Sequence, residues 1–210
     1  MNQMSKNAFA ALVSFWTVAG LGSSAAAAYV SQAWKLNWVF LLGVTVVALL
    51  GVVVAMASEN PLISLIGYSM VSVPFGLMLG PIVAAYTVAS VFKVLFITTL
   101  IVVVLGVVGA IIPDSLESWG IYLFGGLLIL LFGQFGIMIG AWMGFPIKGV
   151  MTIWDWLGVL LFSAYVIFDM NRAMRVPRTL DNSIDCALAI YLDFVNIFIR
   201  LLSLLGQKKD

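Results

Sequence analysis

The chain has 210 residues, 63% of them hydrophobic and only 9% charged, with ten Lys+Arg, nine Asp+Glu and no His. Soluble domains carry about 25% charged residues, and a mean hydropathy of +1.16 is more apolar side chain than a water-soluble protein of this size can bury, so lipid is the expected solvent. A soluble enzyme, a disordered chain and a nucleic-acid binder are excluded, the last by a formal net charge of +1. A single cysteine, Cys186, rules out an internal disulfide framework. Without His, the ligand sets of zinc and haem are missing, no nucleophile–base constellation is visible, and a proton switch near neutral pH must use carboxylates.

A bilayer core of about 30 Å takes roughly 20 apolar residues per helix. Seven stretches meet that length, at 8–31, 38–57, 62–88, 91–112, 120–144, 150–176 and 184–206. The first follows Lys6 and ends in small residues, Ser23 to Ala28, as a signal sequence does. Its length and the six spans after it make it an uncleaved helix instead. Lys35-Leu36-Asn37 separates the first two spans and Ser58-Glu59-Asn60-Pro61 the next two. A tight turn is expected between Thr87 and Lys93, and Pro113-Asp114-Ser115, Pro146-Ile147-Lys148-Gly149 and Val176-Pro177-Arg178 end the fourth, fifth and sixth. Short connections make neighbouring helices antiparallel. The expectation is an all-α integral membrane protein, residues 1–210 forming one transmembrane domain. Gly76 and Gly80 in the third span, and Gly136, Gly140 and Gly144 in the fifth, are spaced for close helix contacts in lipid.

Seven spans put the termini on opposite sides. Lys6, Arg172, Arg175 and Arg178 then face Lys35, Lys93, Lys148, Lys208 and Lys209 across the membrane. The positive-inside rule favours a cytoplasmic C-terminus, by one charge.

Most ionisable groups lie at span ends; Asp155, between Trp154 and Trp156, reads as an interfacial anchor. Asp169 and Asp193 are different, lying inside the sixth and seventh spans. With the turn of that hairpin taken at Asp181-Asn182, the two are equidistant from it and share a depth. On the seventh span Asp185, Ala189, Asp193, Asn196, Arg200 and Ser203 fall within about 80° of one another at the helical period. A central charge costs roughly 2.5–3.5 kcal/mol in lipid even on the lenient scale, so this stripe must face the interior or a wet cavity. Two carboxylates about 4 Å apart repel by roughly 4 kcal/mol at an effective dielectric near 20, so a touching pair would titrate as one unit. One shared proton would tie the helices, and its loss would push them apart. The same oxygens, with Asn196 a turn away, suit a transiently bound hard cation such as calcium. The competing reading is a structural ion pair, with Arg172 neutralising Asp169 or Arg200 neutralising Asp193.

Tyr165-Val166-Ile167-Phe168-Asp169, the segment Tyr191-Leu192-Asp193-Phe194-Val195-Asn196-Ile197-Phe198 and the stretch Gly76-Leu77-Met78-Leu79-Gly80-Pro81 resemble the Bax inhibitor-1 (TMBIM) family. The likeness runs from about residue 62 to the C-terminus. It implies a seven-helix bundle with the C-terminal helix central, and a pH-sensitive calcium leak in which Asp169 and Asp193 are the paired aspartates. It also implies a cytoplasmic C-terminus and, given the compact loops, a bacterial inner membrane. Some members carry a basic residue where this chain has Ser58-Glu59-Asn60-Pro61. The expected partners are the lipid bilayer, calcium ions and protons, with no other cofactor. Two other readings stand beside the leak: a proton-coupled carrier of a small solute, and a non-transporting regulator that binds a membrane protease or a death-pathway protein.

Overall fold

A computed structural model describes residues 3–209. Seven helices follow one another: α1 (Lys6–Ser31), α2 (Trp38–Met56), α3 (Pro61–Ala84), α4 (Val88–Ile111), α5 (Trp119–Trp142), α6 (Lys148–Ala173) and α7 (Leu180–Leu205). Each is long and apolar enough to cross a membrane. Apart from one isolated bridge between Tyr86 and Lys208, no strand forms among the described residues. Side chains as large as Trp142 and Val39 are 88% and 80% exposed, a surface that only lipid would leave unpenalised.

The breakers act as caps. Ser5 accepts from the Ala8 N–H, Asn37 from Phe40 and Asn60 from Leu62, each satisfying an orphan donor of a first turn. Pro61 occupies the first turn of α3, where its missing N–H costs nothing.

Two boundaries differ from expectation. The turn between α3 and α4 lies at 85–87, so Lys93 sits in the second turn of α4. The sixth helix ends at Ala173 and the seventh begins at Leu180, because the Thr179 hydroxyl accepts from the Asn182 N–H and starts the helix four residues early. Asp181 is therefore not in a turn. It is buried in the first turn of α7.

The helices group into two compact units. The first contains α1, α2, α3, the residues Arg175–Tyr191 and the chain from Lys208. Here α3 packs on both α1 and α2. A Cβ at Gly76 would meet the Ser24 backbone, one at Gly80 would meet Ser31 Oγ and Ala28 O, and one at Gly67 the backbone of Ala55 and Gly51. All three let backbones approach, Gly76 and Gly80 as their spacing predicts. Buried hydroxyls tie the same helices: Ser24 donates to Ser72 O at 2.7 Å, and its oxygen lies 2.7 Å from the Tyr191 hydroxyl. Ser64 donates to the buried Asp181 carboxylate at 2.6 Å.

The second unit contains α4, α5, α6 and Leu192–Gln207. There α6 packs on both α4 and α5. The close contacts use Gly109, against the Ile167 backbone, and Gly126 and Gly133, against Leu161 and Trp154. The expected glycine stripe of the fifth span does not do this. A Cβ at Gly136 or Gly144 would meet nothing within 4 Å, and one at Gly140 only side-chain atoms at 3.8 Å or more. Gly144 follows α5 at φ +83°, a left-handed turn that favours glycine. Across the seven spans, α7 is buried most, over 56% of its apolar window against at most 39% elsewhere.

Candidate functional site

Within the second unit, α6 brings Asp169 to the C-terminal part of α7, where Asp193 projects. Asp193 is buried at 4% exposure and Asp169 is half-buried. Their carboxyl groups lie within hydrogen-bonding reach of each other. An ionised carboxylate only accepts hydrogen bonds, so two carboxyl groups can bond to each other only when one of them carries a proton. Asp193 Oδ2 is buried without a hydrogen-bond partner among the described residues, an open acceptor that costs about 1–3 kcal/mol if nothing fills it.

The two acids lie beside each other on neighbouring helices, although Asp181-Asn182 is not the turn between them. Neither arginine clasps the pair. Arg172 is exposed and acts on Asp169 only through its charge. Arg200 runs away from Asp193 towards the start of α6, where Nη1 lies 3.4 Å from both Asp155 Oδ1 and Trp154 O. Asp155 also accepts from Ser203 Oγ at 2.7 Å. Its side chain is 16% exposed, and it is the ion-pair partner of Arg200.

The rest of the polar stripe divides. Asn196 is half-buried and donates to Leu192 O at 2.8 Å, within its own helix. Asp185 is half-buried in the part of α7 that belongs to the first unit. Tyr165, one turn before Asp169, lies within electrostatic reach of both acids and stacks on Phe162. Among the described residues no group of three or more His, Cys, Asp or Glu is gathered, so a cation at the dyad would rely on two carboxylates and nearby oxygens.

Against this geometry, the family described as "Inhibitor of apoptosis-promoting Bax1" matches residues 1–210. The chain belongs to the Bax inhibitor family. Its relatives include "Inner membrane protein YbhL" of Escherichia coli strain K12, 26% identical over 82% of this chain and 77% of that protein. A Helicobacter pylori J99 protein is 26% identical over 83% of this chain and 73% of its own length. "Bax inhibitor 1" of Saccharomyces cerevisiae is 30% identical over 60% of this chain and 43% of the yeast protein. This Bax inhibitor family chain is a multi-pass helical membrane protein, and its surroundings are the lipid bilayer.

Two buried polar residues of this family member were missed from sequence. Asn171, two residues after Asp169, sends Nδ2 to Gly109 O, Ile112 O and Asp114 O at 3.1–3.3 Å and accepts from the Leu116 N–H at 3.1 Å. It therefore caps the end of α4 and fixes the chain that follows. Asp181, held by Ser64, is the other. The Thr179 cap followed by an acid in the first turn was the available signal for it; nothing in the spacing marked Asn171.

Proposed function

We propose that this protein is a pH-regulated calcium leak of a bacterial inner membrane, with Asp169 and Asp193 as proton sensor and transient cation ligands. The observation that carries the reading is the juxtaposition of two intramembrane carboxyl groups within hydrogen-bonding reach, a contact that a shared proton would tie. When the proton leaves, like charges about 4 Å apart repel by roughly 4 kcal/mol at an effective dielectric near 20. Two carboxylates then face each other with oxygens of the kind calcium binds. A site with two acids and no third would hold calcium weakly, and conduction needs a weak site. The name of YbhL supports the inner-membrane placement; an excess of one positive charge on its side favours a cytoplasmic C-terminus.

The test is calcium flux into proteoliposomes between about pH 5 and 8. Flux should be lowest in acid and rise as the shared proton is lost. Asp169→Asn and Asp193→Asn should each flatten that dependence, since an amide donates to the remaining carboxyl without a titrating proton. No protein-dependent flux across the range would remove the proposal. The family's printed description and the yeast relative's name support a second reading, a regulator of another membrane protein. On that reading both Asn variants would alter melting temperature while leaving partner capture intact.

A further inference from the structure

We propose that Arg200 is a fixed positive barrier in series with the acid pair, setting how strongly divalent cations are opposed on their way to the C-terminal side of the membrane. This rests on the leak reading above. Arg200 follows Asp193 by seven residues, two helical turns, and so lies on the same face of α7, about 10 Å further along. An ion leaving the acid pair along that polar face towards the C-terminal end of α7 meets the guanidinium next.

The position of the guanidinium is built and not incidental. Gly158 of α6 leaves the slot in which the side chain lies; a Cβ there would collide with Arg200 Cδ, Nε and Cζ. The Phe162 ring sits 5.9 Å from Cζ. Asp155 draws the far end towards the start of α6, and is itself fixed by Ser203. The pairing is loose. Nη1 makes both of its contacts at 3.4 Å, and Nε is buried without a partner among the described residues. The carboxylate therefore anchors the arm and offsets its charge only in part, with the arginine side chain 15% exposed. Coulomb energy scales with ion charge, so such a barrier opposes calcium more than potassium.

The experiment compares calcium and potassium flux in proteoliposomes for the wild type, Arg200→Gln, Arg200→Lys and Asp155→Asn, with melting temperatures alongside. Arg200→Gln keeps an amide donor for Asp155 but removes the charge. It should raise both fluxes, the calcium gain being about the square of the potassium gain because the ion charge doubles. Arg200→Lys should stay near wild type, and Asp155→Asn should lower calcium flux by exposing the guanidinium charge. If Arg200→Gln folds poorly, the Arg200→Lys and Asp155→Asn pair still separates charge from packing. Equal gains for both ions, or a wild-type leak unchanged in Arg200→Gln and Asp155→Asn, would overturn the barrier and leave the acid-pair reading standing. Absence of flux from every variant would remove the leak itself, whereas a silent wild type with a leaking Arg200→Gln would support the barrier.

Discussion

Asp193 Oδ2 and Asn171 Nδ2 show how differently two buried polar groups can be used a few residues from one another's neighbourhood on the same helix pair. Asn171 is fully employed, bridging three carbonyls and one N–H at the end of α4. Replacing it with Ala strands those groups, at about 1–3 kcal/mol for a buried unsatisfied partner. Asn171→Ala should therefore lower the melting temperature in detergent while leaving the pH dependence of flux in place. Asp193 keeps Oδ2 without a hydrogen-bond partner among the described residues and lies beside Asp169. That openness contrasts with Asp155, which is bonded by both Ser203 and Arg200. Composition and position showed both acids of the pair, since charges inside apolar spans stand out. The arginine partners were not legible: a side chain as long as Arg200 reaches two turns along its helix, and spacing cannot say in which direction.

At the scale of elements, glycine spacing predicts contact only when a neighbour is present. Gly109 abuts the Ile167 backbone, whereas Gly136 faces open space. Gly109→Ala should destabilise by about 1–3 kcal/mol through overpacking. Gly136→Ala should be neutral or stabilise by up to about 1 kcal/mol, the gain in helix propensity. Thermal melts of the two variants side by side check both. The seven spans and the breaks between them at 35–37 and 58–61 were legible because length and local composition decide them; that Asn37 and Asn60 cap the next helices came from the structure. The stripe at Gly136, Gly140 and Gly144 was misread, since periodicity gives a face but not its neighbour. The start of α7 was set four residues late because its first turn is polar, and hydropathy does not register a helix begun by Thr179. Thr179→Ala should cost about 1 kcal/mol, read as a lower melting temperature.

For the whole molecule, lipid replaces water as the solvent, and that single change orders everything else. Apolar side chains can stay on the surface, so polar groups are the ones that must find one another. The second unit places its ionisable interior groups on α6 and α7, as an acid pair and as the Asp155–Arg200 pair. On the proposed reading a shared proton ties the acid contact, so the helix pair should be tied in acid and loosened towards neutral and alkaline pH. The central claim is that one proton is shared between Asp169 and Asp193. Infrared difference spectroscopy of the reconstituted protein across pH reads it directly, through the C=O stretch of a protonated carboxyl group. One such band is expected in acid, fading over the same pH range in which calcium flux rises, and absent from the Asp169→Asn/Asp193→Asn double variant. No protonated carboxyl at any pH where the protein is folded, or a titrating band that survives in the double variant, would contradict it.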